Sequence, residues 1–313
     1  MRIVFMGTPD FAVQSLNALV TAGHDVAAVI TQPDRPKGRG NKLAFPEVKT
    51  RALELGLPVH QPLKVKDESF LELLRGYAPD VIVVVAYGRI LPESVLELPP
   101  YGCINVHGSL LPAYRGAAPI QRAVFDGCTQ SGVTIMQMDA GMDTGDMLLQ
   151  GSLPITEEDT SGTMFEKLAV LGGQLLTEAL EQLQQGTIQR QKQQEEAATY
   201  AARILKEDEQ IHWDWTANQI FCQIRALSPA PGAYTMWNGQ RLKIWKSRLN
   251  DTHTDQKPGT IVEIGRDYLL VQTGQGCLEI TELQPAGKKA MPAKAFCNGT
   301  GIAVGICLGA DHE

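Results

Sequence analysis

Residues 80–87 read DVIVVVAY. A run this apolar, with no alternation of polar and apolar positions, fits a strand covered on both faces. A strand is buried in that way by a sheet with helices on each side, so the first part of the chain is expected to be α/β. Its neighbours agree. RIVFM (2–6), the helically spaced FAVQSLNALVTAG and DVAAVIT (25–31) read as strand, helix, strand, the unit of a parallel sheet. PVHQP (58–62) is a weak third strand, GCINVHG (102–108) follows the buried run, and GVTIMQM (132–138) is the sixth. The expected fold is a doubly wound, Rossmann-like parallel sheet, which binds ligands beyond the carboxyl ends of its strands.

SGTMFEKLAVLGGQLLTEALEQLQQG (161–186) has the pattern of a long helix closing this domain. TIQRQKQQEEAATYAARI (187–204) is polar and glutamine-rich and reads as a linker. Beyond it WTANQIFCQIRAL suggests one helix, and GAYTMW, RLKIWKS, GTIVEI, DYLLVQT and GCLEITEL suggest closely spaced short strands. That spacing predicts a smaller barrel of the oligonucleotide-binding (OB) type. The expected organisation is a first domain over 1–189, a linker over 190–206 and a second domain over 207–313.

The 313 residues suffice for two ordinary domains, and 43% hydrophobic with 20% charged residues is a globular composition. No apolar run approaches the ~20 residues of a membrane span. The opening MRIVFMGTPD enters a strand pattern with no basic leader before it, so a cytoplasmic protein is expected. The six cysteines are scattered without a CxxC pair, which supports neither a zinc ribbon nor a disulfide framework. Net charge is −7, yet residues 31–51 hold six basic residues (Arg35, Lys37, Arg39, Lys42, Lys49, Arg51) against two acidic ones (Asp34, Glu47). A local basic patch on an acidic protein is compatible with a nucleic-acid partner.

The chemistry-bearing stretch is INVHGSLLPAYRG, 104–116. On a strand, Asn105 and His107 share a face and stand at its carboxyl end. Asp143, in MDAGMDTGD, follows the sixth strand and is expected at the same rim. An amide donor, an imidazole and a carboxylate are the parts acyl transfer needs: donors for a developing oxyanion, and a route for the proton of an attacking amine. A carboxylate beside an imidazole orients it and favours its charged form. Three other readings are weaker. Metal binding by His107, Asp143 and Asp146 lacks HxH or HxxxH spacing. A Ser109 nucleophile lacks GxSxG. GTPDFA after the first strand is not GxGxxG and fits a turn with Asp10 near a helix N-terminus.

INVHGSLLPAYRGAAPIQRA, with MDAGMDTGD downstream, resembles the folate-dependent formyltransferases. The branch acting on an aminoacylated tRNA is matched further by GTPDFA, TQPDRPKGRG, VVVAYGRILP, GVTIMQMD, EDTSGT, RALSPAPGAY and LQPAGKKAM, nearly the whole chain. The resemblance implies transfer of a formyl group from the co-substrate 10-formyltetrahydrofolate to the α-amino group of methionine esterified to initiator tRNA, without a metal. It implies catalytic Asn105, His107 and Asp143, a folate-binding loop of Ser109, Leu110, Leu111 and Pro112, and tRNA contacts from the basic loop (Arg35, Lys37, Arg39, Lys42), Arg39 on the acceptor stem. The second domain would help hold the tRNA. Nothing demands more than a monomer, and no membrane is involved. In the second domain Arg241, Lys243, Lys246, Arg248, Lys288 and Lys289 fit either phosphate contact or a solvated strand face. A formyltransferase for a small amine (a ribonucleotide or an amino sugar), and an inactive protein that only holds folate or RNA, are the alternatives. The first would leave the basic loop and second domain without a use, the second the Asn/His/Asp set.

Overall fold

The structure, a computed structural model, describes residues 1–37 and 42–309. In chain order the elements are β1 (Arg2–Gly7), α1 (Phe11–Thr21), β2 (Asp25–Ile30), β3 (Arg35–Lys37), β4 (Lys42–Ala44), α2 (Glu47–Glu54), β5 (Val59–His60), α3 (Glu68–Tyr77), β6 (Val81–Val85), α4 (Glu93–Leu96), β7 (Cys103–His107), β8 (Arg115–Gly116), α5 (Pro119–Phe125), β9 (Gln130–Gln137), β10 (Met147–Pro154) and α6 (Ser161–Gln185). Then come β11 (Tyr200–Ala201), α7 (Ala217–Ala226), β12 (Ala233–Trp237), β13 (Gln240–Asn250), β14 (Ile261–Ile264), β15 (Leu269–Gln272), β16 (Cys277–Pro285), β17 (Met291–Pro292) and α8 (Ala293–Thr300). The chain divides into two compact units: residues 1–119, 131–154 and 165–201, and residues 120–130, 155–164 and 202–313.

The first unit is built on a seven-stranded sheet in the order β10-β9-β7-β6-β1-β2-β5. The strands from β5 to β7 are parallel. All five residues of β6 are buried, as its uniform apolar sequence requires. One face packs Val4, Met6, Ile30, Ile82, Val84 and Cys103 against Phe70, Leu71 and Leu74 of α3. On the other face α6 lies close to the sheet because it carries Gly172 and Gly173. A Cβ at Gly172 would stand 2.9 Å from Val106 Cγ1, and one at Gly173 would stand 3.1 Å from the Gln14 carbonyl of α1. The helix thus accepts two poor helix formers in exchange for contact with β7 and α1.

Two features depart from expectation. The sixth strand is not parallel: β9 runs antiparallel to β7, pairing Asn105 with Met136 and His107 with Thr134. Apolar periodicity carries no information about direction, and the edge strand β10, whose apolar pattern is broken by a glycine, follows β9 and makes the edge of the sheet. The basic loop is also more than a loop. β3 and β4 pair as a two-stranded antiparallel ribbon, Arg35 opposite Ala44 and Lys37 opposite Lys42.

The second unit holds a six-stranded sheet in the order β12-β13-β16-β15-β14, with β17 on β16. Its core gathers Ile220, Phe221 and Ile224 of α7, Leu242 and Ile244 of β13, and Phe296 of α8. TANQ starts α7 with a capping box: the Thr216 hydroxyl accepts from Gln219 N–H (3.2 Å), and the Gln219 side chain accepts from Thr216 N–H (3.0 Å). Cys103, Cys222 and Cys277 are buried and none of the six cysteines is in a disulfide; burial pushes the Cys103 thiol up to about 12. No helix among the described residues is long and apolar enough to cross a membrane.

The glycine-mediated approach of α6 makes a stability prediction. Gly172→Leu should destabilise the protein by ~1–3 kcal/mol, because the side chain must displace Val106 rather than fill a void. Urea unfolding of the variant beside the parent measures it, and an unchanged midpoint would mean that α6 does not need this close contact.

Candidate active site

Alternation along β7 sends Ile104 and Val106 toward α6 and leaves Cys103, Asn105 and His107 on the opposite face. Among the described residues the Asn105 side-chain amide has no protein hydrogen-bond partner, so its N–H groups are free for a ligand. His107 is nearly buried and donates from Nε2 to the Tyr114 carbonyl at 3.0 Å. A carbonyl only accepts, so Nε2 carries the hydrogen. Its Nδ1 faces Asp143 Oδ2 at 3.7 Å, an electrostatic contact beyond hydrogen-bond range.

Asp143 arrives by a route that strand order alone does not predict. Because β9 is antiparallel, its carboxyl end lies beside Ile104, not His107. Met138 N–H donates to the Cys103 carbonyl and Gln137 N–H to the Asp146 carbonyl, both at 2.8 Å, so the 138–146 loop leaves and rejoins the sheet at that end. It reaches His107 by folding back. Asp143 adopts φ +55° on that path, and its Oδ2 accepts from Gly116 N–H at 2.8 Å. Gly145 lies so tightly on β9 that a Cβ there would stand 1.8 Å from the Gln137 carbonyl oxygen.

A cavity of ≈ 240 Å³ opens beside Asp143, lined by Arg89, Leu91, Met136, Met138 and Asp139 among others. Ile90 and Met142, at its rim, are 83% and 63% exposed, which leaves large apolar surface for a ligand to cover. These residues lay within the motifs YGRILP and MQMDAGMD, but no sequence signal marked them as a lining. Ser109, Leu110, Leu111 and Pro112 do not line it. The Ser109 hydroxyl donates to the Ala113 carbonyl at 2.6 Å, so it is occupied as a turn-former rather than poised as a nucleophile. Leu111 packs with Met136, which does face the cavity. The turn is held from behind: Leu111 N–H donates to Thr134 Oγ1 (3.0 Å) and Gln150 Nε2 to the Leu111 carbonyl (2.9 Å). A second recess of ≈ 370 Å³ lies at the carboxyl ends of β1, β2 and β6, lined by Thr8, Gln32, Arg35, Phe45 and Tyr87. A wider depression near Arg75, Asp80 and Glu97 sits at the amino-terminal ends of the strands, where this type of sheet does not bind ligands.

Of the ribbon residues, Arg35 is exposed at the second recess. Lys37 and Lys42 are register partners in the ribbon backbone, and Arg39 lies outside the described residues, as do Gly38 and Gly40. Lys49 and Arg51 are committed elsewhere. Lys49 Nζ binds both Asp34 oxygens (2.8 and 2.7 Å) and holds that carboxyl below its usual range; Arg51 bonds Asn17 and Glu54. In the second unit Lys246 pairs with Glu282, and Arg248 with Glu279 and Asp267. Lys243 donates to the Pro231 carbonyl and Arg241 stacks over Tyr234. These four suit a solvated strand face with local partners. Among the described residues no group of three His, Cys, Asp or Glu could hold a metal ion.

The segment read as a linker is part of this architecture. Gln191 pairs with Met147, and β11 pairs with β8 in parallel, Tyr200 opposite Arg115 and Ala201 opposite Gly116. The Arg115 side chain is fully buried, and its guanidinium makes a bidentate pair with Glu195 at 3.0 and 2.8 Å. Polar composition hid this docking, because it is made by backbone, amide and charged groups rather than apolar ones.

The Formyl transferase family matches residues 1–180, and the Formyl transferase C-terminal domain matches residues 203–301. The chain is 54% identical over 310 residues to the methionyl-tRNA formyltransferase of Pelotomaculum thermopropionicum, with 99% of each covered. It is 53% identical over 309 residues to that of Moorella thermoacetica, again with 99% of each covered. The chain belongs to the methionyl-tRNA formyltransferase family. At the level of fold it is similar to the N-formyltransferase of Helicobacter canadensis solved with folinic acid and dTDP-3-aminofucose (TM-score 0.67, 21% identity, 90% of this chain and 98% of that one).

In this member of the methionyl-tRNA formyltransferase family, an exposed carboxylate, Glu195, is one of the ties that hold the strap over 191–201. The Arg115 guanidinium holds Glu195 below its ordinary value of 4.5. A depressed carboxyl contributes stability that is fully present above its unfolded value and is lost as pH falls through the lower folded value. Glu195→Gln should therefore lower Tm at neutral pH and flatten the decline of Tm below about pH 4.5. Thermal melts of variant and parent from about pH 3 to about pH 7 test this, and parallel curves would exclude the pair as a pH-dependent tie.

Proposed function

We propose that the chain transfers the formyl group of 10-formyltetrahydrofolate to the free α-amino group of initiator methionyl-tRNA, with Asn105, His107 and Asp143 carrying the chemistry. The single observation behind this is the unpartnered Asn105 amide on the same strand face as His107, whose Nδ1 looks at Asp143 across 3.7 Å. The cavity beside Asp143 fits one end of a folate: ≈ 240 Å³ with apolar walls and polar edges suits a flat bicyclic ring and is too small for the whole molecule. Arg89, Leu91, Met136, Met138 and Asp139 would hold the ring, and Ser109-Leu110-Leu111-Pro112 would back it through Leu111.

When bound, 10-formyltetrahydrofolate supplies an electrophilic formyl carbon attached to N10. Asn105 donates to the formyl oxygen as negative charge grows there, and His107 Nδ1, when protonated, donates to the same oxygen. Asp143 helps take the proton that the attacking nitrogen must lose, directly or through water, and a proton is returned to N10 as its bond to the formyl carbon breaks. No residue forms a covalent link to the formyl group in this scheme, which agrees with a Ser109 hydroxyl already engaged with a backbone carbonyl.

The basic segment that includes Arg35, Lys37, Arg39 and Lys42 engages the acceptor end of the tRNA and leads it over the second recess into the site. Residues 1–189 are assigned the chemistry and 207–313, an OB-type unit, the holding of tRNA, joined by 190–206. Two register shifts in β13, between Ile244 and Ser247, support a sheet bent toward that form. The enzyme acts as a monomer in the cytoplasm.

Incubation with 10-formyltetrahydrofolate and either charged initiator tRNA or a small amine decides the acceptor; formyl transfer to the small amine alone would overturn this reading. Asn105→Ala should lose on the order of 10²-fold in kcat, as loss of an oxyanion donor costs ~3 kcal/mol, with folate binding largely kept. Near-parental turnover of that variant would remove Asn105 from the mechanism. Arg39→Ala should weaken tRNA use and flatten the slope of log affinity against log salt by up to ~0.7–0.9 per lost phosphate contact. An unchanged slope and rate would count against the ribbon.

A further inference from the structure

We infer that Gln193 is a positioning residue for the transfer reaction, and that the 191–201 strap exists to set the geometry of Asp143. The inference rests on the reading of Asp143 as a reacting carboxylate. One side-chain amide makes three bonds here. Gln193 Nε2 donates to the Asp143 carbonyl (2.8 Å) and to the Gly145 carbonyl (2.8 Å), while its Oε1 accepts from Arg115 Nε (3.0 Å). Gln193 thus grips the backbone of the folded-back loop on both sides of Thr144.

The grip closes a circuit. Arg115 is followed by Gly116, whose N–H binds the Asp143 carboxylate at 2.8 Å. The β8 segment therefore holds Asp143 twice: its carboxylate directly, through Gly116, and its carbonyl indirectly, from Arg115 through Gln193. The Arg115 guanidinium is buried and fixed by Glu195 of the same strap. The strap also reaches the other partner. The Thr199 hydroxyl accepts from Tyr114 N–H (2.9 Å), and the Tyr114 carbonyl is the group that receives His107 Nε2–H. Asp143 and His107 are therefore referenced to one piece of chain.

Asp143 needs such a hold. A residue with a β-carbon at φ +55° occupies a sparsely populated conformation that persists only where its surroundings over-determine it. Its carboxylate stands 3.7 Å from Nδ1, and a displacement of about 1 Å in a reacting group can cost on the order of 10²-fold in rate. Gln193 bonds the loop backbone at Asp143 and Gly145, beyond Met138 and Asp139 of the cavity wall, so the larger effect is expected on turnover rather than on folate binding.

The test is a pair of substitutions read in steady-state kinetics of the full chain with 10-formyltetrahydrofolate and charged initiator tRNA. Gln193→Met keeps length and removes the donors; kcat should fall ~10-fold to 10²-fold with KM for both substrates within ~3-fold. Gln193→Glu keeps the acceptor for Arg115 but turns an oxygen toward two carbonyls, and should not rescue turnover. A double-mutant cycle reports the route: in an Asp143→Asn background Gln193→Met should cost less than ~3-fold more, whereas a full additional loss would overturn action through Asp143. If Gln193→Met does not fold, Glu195→Gln, altered at an exposed side chain, should still lower kcat several-fold at constant KM; parental kcat in that variant would overturn the inference. Asp143→Asn separates the two claims. Parental turnover there sinks the proposed function itself, while a dead Asp143→Asn beside a fully active Gln193→Met sinks only the strap.

Discussion

The Asp143 carboxylate is held at the end of β7 by the backbone N–H of Gly116, and that contact exists only because the 138–146 loop folds back from the far end of the strand. The reason lies in sheet direction. A parallel sixth strand would have delivered its following loop to the carboxyl rim unaided, at the cost of a crossover connection. The antiparallel β9 instead makes a sheet edge with β10, and the loop between them is tethered at both ends near Cys103. Two local features let it turn back: the left-handed backbone at Asp143 and the lack of a Cβ at Gly145, where one would collide with the Gln137 carbonyl. The site is thus assembled by a loop working against the direction of its own strand.

What the sequence disclosed and what it concealed follow from how each feature is encoded. β1, β2, β6 and β7 were legible because each must be apolar along its length to lie between helices. Asn105 and His107 stood out as polar groups ending such a run. The direction of β9 was not legible, since an apolar strand reads alike in either sense. The β8–β11 pair was not legible either: it joins Arg115–Gly116 to Tyr200–Ala201, short segments far apart in the chain, through backbone groups that every residue carries. β10 was hidden by the glycine within MLLQGSLP, which reads as a break but packs against Leu171 and Leu175 of α6. In the second unit the strand runs and α7 were anticipated, whereas α8, AKAFCNGT, buries little beyond Ala293 and Phe296 and showed no usable period.

Charge counting misled in one direction and helped in another. The six basic residues between 31 and 51 are not equivalent once Lys49 is tied to Asp34 and Gln61, and Arg51 to Glu54 and Asn17. A cation already bonded must give up that partner before it can meet a phosphate. The same holds for Lys246 and Arg248, whose carboxylate partners lie on the neighbouring strand or loop. The proposed tRNA contacts therefore fall to the ribbon, where Arg35 is exposed beside the recess at the carboxyl ends of β1, β2 and β6. A net charge of −7 is no obstacle, because attraction depends on the field at that edge.

The composition of the strap has a physical logic once its task is to position Asp143. The loop could have been held by a lysine or arginine, but a cation there would bind the carboxylate and compete with His107 for it. Glutamine is neutral and carries donors and an acceptor on one rigid group, so it can bridge a guanidinium on one side to two carbonyls on the other. The one full charge needed to anchor it, Arg115, is met by Glu195 at both terminal nitrogens while its Nε bonds Gln193. A polar, glutamine-rich segment is then the expected result of holding a charged loop in place without neutralising it, and the same polarity made it look like a linker.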